Sequence, residues 1–495
     1  MISKKQPASI SLLALLNLLV LAQPAAAGGV DSAQHRLFSD QLTSQIYSNP
    51  NEFSSSLGVS MAFSLIYPGS TNDAVDEIRT VFGYLDDNDD GSSNNMHLVW
   101  EDVSTSMTSR ADGACASGYE DDESCYGGAR PLLSIANSIW IDDGDALNAD
   151  YEAVVGKYSQ QIDFQSTESP EVVNQWVNNQ TNGLVDSIVQ EGEPLPGVLI
   201  AINALYLKAS WAKQFYEGNT NIDSFYSSSL RSNAVAKAHF MHQVGEMLYS
   251  HDAMAGYQIV QLPFSSSSMS MIFVLPTTDD DNSALIPSRT LVPALKSLKE
   301  TRVALALPKF KFETTYGDNL KEALQDIGIV SPFKGGKESL CNIFAADTYP
   351  CNQLFISQVI QKTVVDVNED GVEAAAVTAV FVEKTSFEPV EKTEPVLMMM
   401  DHPFQFFIYD EKEDLVLFEG RFGEPKVPDG GQSATSSMVE SVHADEDFWP
   451  STFGVNPVNP PIIRAAKDDS GSTSGSSLAL LVGMSTLTLS MLMVL

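Results

Sequence analysis

A run of small residues from position 372 to 378 most constrains how this chain can fold. In an extended strand the side chains alternate between two faces, so Val372, Ala374, Ala376 and Thr378 share one face. None of the four is charged, and none is a proline, which would remove a hydrogen-bond donor from a sheet. Glu373 falls on the opposite face, where it can stay solvated. Because protein interiors are close-packed, the run suits a strand inside a crowded sheet. An alanine-rich helix or a flexible linker is the alternative interpretation.

Both ends of the chain are interpreted as processing signals. Two lysines at positions 4–5 precede an apolar run over residues 10–22, and alanines at 25–27 offer a cleavage site, so residues 1–27 predict a secretory signal peptide. Residues 478–495 are apolar and uncharged, and they follow a polar stretch of small residues over 468–477. That order is typical of a glycosylphosphatidylinositol (GPI) anchor signal. A transmembrane helix without a cytosolic tail is the alternative.

The composition between these ends separates one domain from a stalk. Residues 28–425 alternate helical and strand patterns without a clear linker, whereas residues 426–477 are rich in Ser, Pro, Gly, Asp and Asn. Segments of the second kind bury too little apolar surface to fold. We therefore expect a single domain over 28–425, a disordered stalk over 426–477, and a hydrophobic GPI-signal tail or transmembrane segment over 478–495.

Charge and histidine spacing limit the expected partners. Lys and Arg total 28 against 64 Asp and Glu, a formal net charge of −36. Such a chain repels phosphate backbones, so we expect no nucleic acid partner. The histidines are scattered, and we expect His239 and His242 to be surface or core residues rather than metal ligands. No cofactor and no metal site is predicted.

The cysteines indicate local cross-links. Four cysteines occur as two neighbouring pairs, Cys115 with Cys125 and Cys341 with Cys351. An oxidising compartment would let them pair. Three connectivities are possible, and the short loops favour Cys115–Cys125 and Cys341–Cys351. The sequence has no C-x-x-C spacing, so zinc or redox chemistry has no support.

Hydrophobic periodicity predicts a mixture of helices and strands. Helical patterns cover residues 31–47, 73–82 and 171–189. Strand patterns cover residues 132–141, 198–207, 269–275 and 303–307, and residues 404–409 and 415–418 flank a charged turn typical of a hairpin.

A series of motifs, in one order and at compatible spacings, resembles the serpin family over nearly the whole predicted domain. They are Asn51–Ser56 with Ser60–Leu65, Tyr67–Thr71, Ala136–Trp140, Asn174–Gly183, Asn203–Lys208, Leu307–Phe310, and Asp401–Phe404 through Phe418–Arg421. The segment Val367–Thr378 is similar to the hinge of inhibitory serpins. The resemblance implies an α+β fold with three β-sheets, about eight or nine helices and an exposed reactive-centre loop.

The function implied by the resemblance is suicide inhibition of serine proteases. The protease cleaves the loop as a substrate and forms a covalent acyl complex, and the loop then inserts as a strand of the main sheet. The protein itself would supply no nucleophile, so we expect an inhibitor, not an enzyme, and a monomer. The alternative is a non-inhibitory serpin-fold carrier, chaperone or surface adhesion module.

The resemblance also assigns a hinge and a latch. The hinge residues would be Glu369, Gly371, Val372, Glu373, Ala374, Ala375, Ala376 and Thr378. A polar latch beneath the opening strands would comprise Ser55, Asn203 and Gln361. Many family members have Pro in place of Ser56, Ser in place of Gly58, and His in place of Gln361. Glutamine donates and accepts hydrogen bonds as histidine does but cannot become charged, so we expect a latch that is weaker or less sensitive to pH.

The cleaved bond is predicted among Lys384, Thr385 and Ser386. Counting forward from Gly371 at the family's spacing gives Thr385–Ser386, and one residue less gives Lys384–Thr385. Counting backward from Pro403 gives Lys392–Thr393, which would leave about eight surplus residues, or over about 20 Å of slack, in the inserting segment. Lys384 is preferred because a long cation fits the acidic pocket of a trypsin-like protease.

The expected location is extracellular, on the outer face of the plasma membrane. The protein would be secreted and held there by the lipid anchor or a C-terminal helix. Asn179, in the sole sequon of the chain, Asn179-Gln180-Thr181, is the predicted glycosylation site, although it falls in a helical pattern.

Overall fold

The structure, a computed structural model, describes residues 31–84, 96–111, 132–231, 234–252, 256–265, 267–278, 286–346, 348–372 and 394–425. These residues form an α+β structure, which confirms the expected fold class. The α-helices are α1 (Ser32–Ile46), α2 (Ser56–Ile66), α3 (Asp73–Phe82), α4 (Met96–Ala111), α5 (Ala149–Val155), α6 (Ser169–Gln180), α7 (Ser288–Leu295) and α8 (Asp318–Ile327).

The strands fall into two hydrogen-bonded sheets. They are β1 (Glu52–Ser54), β2 (Leu132–Asp142), β3 (Ser159–Ile162), β4 (Leu199–Ser210), β5 (Asn221–Tyr226), β6 (Ala234–Asp252), β7 (Tyr257–Pro263), β8 (Met269–Pro276), β9 (Lys299–Pro308), β10 (Phe310–Tyr316), β11 (Gln358–Val367), β12 (Gly371–Val372), β13 (Val396–Met399), β14 (Phe404–Asp410) and β15 (Leu415–Phe422).

The six-stranded sheet has the order β10-β11-β12-β4-β2-β3. β4 is antiparallel to β2 and parallel to β11. One face of the sheet packs on the main core through Leu205, Leu207 and Val365. The other face carries Ile202 and Ile360 against a second apolar cluster that includes residues of α6. Both faces are therefore covered, and β4 reads as a nearly continuous apolar run because it has no solvent face.

The nine-stranded sheet has the order β1-β15-β14-β8-β7-β6-β9-β13, with β5 paired to β6. β6 spans 19 residues and pairs successively with β5, β9 and β7 along its length. The described strands form two sheets where three were expected. The long strand β6 joins strands of two expected sheets into this single nine-stranded sheet.

Helix α2 belongs to the main core. Every residue of α2 is buried, and the helix packs against β2, β4 and β15. Ser55 caps its N-terminus, because its hydroxyl oxygen accepts a hydrogen bond from the backbone nitrogen of Gly58 (3.0 Å). This cap places the start of the helix directly under the six-stranded sheet.

Most of the predicted elements are present, and one helix ends earlier than expected. Asp31 caps α1 at its first turn, and α3 has the predicted bounds. The helical pattern over 171–189 was wrong at its end, since α6 stops at Gln180. Asn182 and Gly183 then adopt positive φ angles of 53° and 81°, a backbone conformation that terminates a helix.

The chain divides into two units, Met1–Val442 and His443–Leu495, and every described residue belongs to the first. The predicted signal peptide (1–27), stalk (426–477) and tail (478–495) lie outside the described residues. Within the part of the chain that the structure describes, no helix is long and apolar enough to cross a membrane.

Candidate strand-insertion site

The candidate site is the seam between β4 and β11, where the two-residue strand β12 lies between them at one end. The two strands pair in parallel from Ile200 with Gln358 to Leu205 with Thr363. Beyond that point β12 lies between them. Val372 pairs antiparallel with Val367 of β11 and with Ala209 of β4. β4 and β11 are thus hydrogen-bonded directly along one part of the seam, which we call its closed part, and β12 separates them along the other part.

A tight turn joins β11 to β12. The side-chain oxygen of Asn368 accepts hydrogen bonds from the backbone nitrogens of Asp370 (3.0 Å) and Gly371 (3.3 Å). A Cβ atom at position 371 would lie 2.0 Å from the backbone oxygen of Ala209. Glycine is required there because the turn enters the sheet in direct contact with the β4 backbone.

Glu369 anchors this turn through an ion pair. Its carboxylate lies 2.7 Å from Nζ of Lys309 and accepts a hydrogen bond from the hydroxyl of Thr220 (2.6 Å). Burial raises the pKa of Glu369, but the hydrogen bonds from Lys309 and Thr220 outweigh it and hold that pKa below its usual value. The carboxyl is therefore ionised at neutral pH and paired with a cation.

The residues that follow β4 hold the same turn through its backbone oxygens. The backbone nitrogen of Trp211 donates to the oxygen of Asp370 (2.9 Å), and its indole nitrogen donates to the oxygen of Asn368 (2.9 Å). The backbone nitrogen of Phe215 donates to the oxygen of Glu369 (2.9 Å). Residues 368–370 are thus fixed to the chain that follows β4.

The three predicted latch residues are in direct contact beneath the closed part of the seam. The side-chain nitrogen of Gln361 donates to the backbone oxygen of Ser55 (2.7 Å) and to Oδ1 of Asn203 (2.7 Å), and its oxygen accepts from the backbone nitrogen of Ser55 (3.0 Å). Asn203 donates in turn to Oδ1 of Asn137 (2.7 Å). All three latch residues are at most 1% exposed. The contacts link β11, β4 and the start of α2.

Two departures from the family pattern have a structural explanation at this latch. A Cβ atom at Gly58 would lie 2.3 Å from Oδ1 of Asn203, so the close approach of α2 to the latch excludes a larger residue there. The hydroxyl of Ser56 donates to the hydroxyl oxygen of Ser39 in α1 (2.7 Å). Ser56 thereby joins a buried polar group instead of filling apolar space.

A covering segment, residues 181–198, crosses the opposite face of the seam. Lys362 of β11 donates from Nζ to the backbone oxygen of Ser187 (3.0 Å). The side chain of Asn174 in α6 accepts hydrogen bonds from the backbone nitrogens of Ile188 (2.8 Å) and Val189 (3.0 Å). These contacts tie the covering segment to both α6 and β11, so separation of β4 and β11 requires it to shift.

Three of the eight predicted hinge residues are described. Glu369 lies in the turn, and Gly371 and Val372 form β12. Val372 is 2% exposed and belongs to the main core, as alternation along the strand predicts. The remaining hinge residues and the residues predicted at the cleaved bond lie outside the described residues: Glu373, Ala374, Ala375, Ala376, Thr378, Lys384, Thr385 and Ser386.

The other predicted sites are distributed away from the seam. Cys341 and Cys351 form the predicted disulfide, whereas Cys115 and Cys125 lie outside the described residues. Asn179 is exposed in the last turn of α6.

The two histidines considered as metal ligands have separate environments. His239 is exposed, while Nε2 of His242 lies 2.7 Å from Oδ1 of Asn221. Burial lowers the pKa of His242, which favours its neutral form.

Three contacts of the seam were not predicted from the sequence. They are the Lys309–Glu369 ion pair, the Asn368 turn and the bond from Lys362 to the covering segment. Lys309 stands within the Leu307–Phe310 motif, which was the one available signal. Its partner lies 60 positions further along the chain, so no local pattern could pair the two.

The chain is similar to known proteins both in sequence and in fold. Residues 33–425 match the family described as Serpin (serine protease inhibitor). Human antithrombin-III is 29% identical over 389 residues, which cover 77% of each chain. An uncharacterized serpin-like protein of Thermococcus kodakarensis is 29% identical over 386 residues, or 76% of this chain and 82% of that protein. The structure of uncleaved ovalbumin covers 80% of this chain and 100% of its own at 22% identity, with a TM-score of 0.64.

Proposed function

The chain belongs to the serpin family, and from that premise we propose that it is a suicide inhibitor of serine proteases. A protease would cleave the loop after β12 and form a covalent acyl complex. The cleaved loop would then extend β12 as a full strand between β4 and β11. The protein acts as a substrate that traps its enzyme, and it catalyses no reaction of its own.

The observation that carries this proposal is the position of β12. If its register continued, Ala374 would lie between Leu207 and Val365, with the same face toward the main core. Further along, Ala376 would lie between Leu205 and Thr363. Small side chains fit there because the flanking strands already pack closely. The composition of the loop thus agrees with the space that the described strands would offer.

The register also brings the hinge to the latch. Thr378 would align with Asn203 and Gln361, whose contact across the seam must break for the strand to pass. A threonine hydroxyl can both donate and accept hydrogen bonds, so it can satisfy the separated amides. Insertion would replace a parallel pairing by two antiparallel ones, which are slightly more stable for each residue.

The proposed cleaved bond is Lys384–Thr385. A lysine before the bond directs the protein toward trypsin-like proteases, whose specificity pocket is acidic. Mass spectrometry of the peptide released from the trapped complex tests this. A peptide that begins at Thr385 supports the proposal, one that begins at Ser386 moves the bond by one residue, and one that begins at Thr393 overturns the slack argument.

We further propose that the protein is a secreted monomer held on the outer face of the plasma membrane. A phosphatidylinositol-specific phospholipase should release a GPI-anchored form from intact cells, whereas retention would favour a transmembrane tail. Glycosylation at Asn179 is compatible with its exposed side chain. Loss of a mass shift in Asn179→Gln after expression in a secretory host would identify the site.

The proposed inhibition is tested by a covalent complex that survives denaturing gel electrophoresis. Ala374→Arg should abolish the complex and leave cleavage intact, because the arginine would be buried without a partner in the core-facing position. Val390→Arg is the matched control, since residue 390 follows the proposed bond and never inserts. A non-inhibitory serpin-fold protein would form no complex with any protease in a panel.

A further inference from the structure

A buried carboxyl group lies directly behind the latch. Glu419 of β15 is 5% exposed, and its Oε1 accepts a hydrogen bond from the hydroxyl of Ser39 in α1 (2.6 Å). The hydroxyl of Ser56, the first residue of α2, donates to the same Ser39 hydroxyl oxygen (2.7 Å). Glu419, Ser39 and Ser56 therefore form a buried cluster that joins β15, α1 and α2.

The carboxyl group of Glu419 has one hydroxyl partner, Ser39, but no countercharge. Among the described residues, no Lys, Arg or His side chain forms an ion pair with it, in contrast to Glu369. Burial is the largest cause that raises the pKa of Glu419, the hydrogen bond from Ser39 offsets part of that rise, the Asp40 carboxylate adds to it, and the resulting pKa is about 8. The group is thus mainly protonated at neutral pH.

The surrounding charged groups are engaged elsewhere. On α1, Arg36 lies 3.6 Å from Asp414 of the β14–β15 turn, and Asp40 lies 3.2 Å from Arg289 of α7. On β1, the carboxylate of Glu52 accepts a hydrogen bond from Tyr316 (2.6 Å). On β15, Arg421 donates to the backbone oxygen of Asn49, and near the end of α1 the hydroxyl of Tyr47 donates to the backbone oxygen of Glu419 (2.6 Å). None of these contacts neutralises a charge on Glu419.

The cluster is connected to the latch on two sides. The hydroxyl of Ser55 donates to the backbone oxygen of Leu417 (2.6 Å), two residues before Glu419 on β15. Ser56 of the cluster follows Ser55 in the chain. Ser55 is thus held by its hydrogen bond to Leu417 and by its chain link to Ser56. A displacement of β15 from the start of α2 would disturb both connections and so move Ser55 relative to Gln361.

We propose that Glu419 is a proton-controlled lock on the opening of the β4–β11 seam. When the carboxyl is neutral, α1, the start of α2 and β15 stay packed around it and hold the latch in place. When it ionises, the uncompensated charge draws water into the cluster and loosens Ser55. The pH sensitivity that Gln361 cannot supply would come from this neighbouring acid. The lock regulates the proposed inhibitory insertion and rests on that function.

The way in which stability depends on pH follows from the difference in proton binding between the folded and the unfolded state. An unfolded glutamate has an ordinary pKa of about 4.3, below the raised value of the folded state. The unfolded state therefore loses its proton first as the pH rises. The stabilising contribution is complete below about pH 4, falls between about pH 4 and pH 8, and stays low above that range.

The test compares the wild-type protein with Glu419→Gln, which is isosteric and cannot ionise. Chemical unfolding from about pH 5 to about pH 9 should show the stability of the wild type falling relative to the variant, by up to about tenfold in the unfolding equilibrium per pH unit. The matched control is Glu338→Gln, at an exposed position, which should follow the wild type. Parallel curves for the wild type and Glu419→Gln would overturn the proposal. Glu419→Met, which also cannot ionise, serves if the amide variant fails to fold.

A second measurement tests whether ionisation of Glu419 controls the opening of the seam, and not only the stability of the protein. A synthetic peptide with the sequence of residues 372–385 should insert into the wild-type sheet about tenfold faster or more at about pH 9 than at about pH 6, and at a nearly constant rate into Glu419→Gln. A pH-dependent stability with a pH-independent insertion rate would overturn the lock. Neither measurement uses a protease, so failure to form a covalent complex would refute the proposed inhibition without deciding this inference.

Discussion

Replacing Gln361 by alanine would remove the centre of the latch. The side chain of Gln361 makes three hydrogen bonds, two to the backbone of Ser55 and one to Oδ1 of Asn203. All of these atoms belong to residues at most 1% exposed. The backbone oxygen of Ser55 keeps a second donor, the backbone nitrogen of Val59 (3.3 Å). The substitution therefore leaves two buried polar groups without this partner, the backbone nitrogen of Ser55 and Oδ1 of Asn203, and water has little access to replace it.

The expected loss of stability follows from those two groups. A buried donor or acceptor that loses its partner costs about 1–3 kcal/mol. Partial rearrangement of Asn203 toward Asn137 offsets some of this, because the two amides already share a hydrogen bond of 2.7 Å. We expect the free energy of unfolding to fall by about 2 kcal/mol or more. The weaker latch should also accelerate insertion of the 372–385 peptide.

Urea unfolding of the intact protein measures the first effect. The matched control is Gln358→Ala, three residues earlier on β11, where the side chain is only partly buried. The control should lose about 1 kcal/mol or less. Equal losses in the two variants, or a loss below about 1 kcal/mol for Gln361→Ala, would refute the assignment of Gln361 as the centre of a buried network.

Three further substitutions test the turn and the disulfide. Glu369→Gln should lower the stability by about 1 kcal/mol or less, because Lys309 is 39% exposed and solvent screens the pair; thermal melting checks this, and an increase in stability would contradict it. Gly371→Val should displace β12, since its Cβ would lie 2.0 Å from the backbone oxygen of Ala209; loss of amide protection at Val372 in hydrogen exchange would show it, and unchanged protection would count against the geometry. Cys341→Ser should lower the free energy of unfolding by about 2–3 kcal/mol, because it frees a short loop; equal urea midpoints for the variant and the wild type would exclude that contribution.

Local patterns were sufficient for the strands and for the face of Val372. Strands β2, β4, β8 and β9 have apolar sequences because both sides of their sheets are covered, and a run of that kind is visible without knowledge of the partners. The burial of Val372 follows from alternation alone, since neighbouring side chains must point to opposite faces.

The end of α6 could not be predicted from apolar spacing. Val185 and Ile188 are buried against the second apolar cluster, as a helical pattern would place them, but they belong to the covering segment after the helix. The contacts that fix this segment come from Asn174, a polar residue 14 or 15 positions away. Asn182-Gly183 was the signal for the earlier end, because both residues favour positive φ.

The latch residues could be predicted only from the family resemblance, and their hydrogen bonds could be identified only in the structure. Gln361 is separated from Ser55 by 306 positions and from Asn203 by 158 positions. No periodicity acts over such separations, so only a known family order could group these residues. The cluster around Glu419 had no signal of its own, because a glutamate in a strand is ordinarily solvated and only the packing of α1 and α2 against β15 buries it.

The central claim is that the cleaved loop becomes a strand between β4 and β11, and one measurement tests it most directly. The loop is nicked by a protease between residues 381 and 388, and the unfolding temperature of the nicked protein is compared with that of the intact protein. Insertion should raise the unfolding temperature sharply, because the sheet gains a buried strand with hydrogen bonds on both sides. An unchanged or lower unfolding temperature after a clean nick would contradict the account.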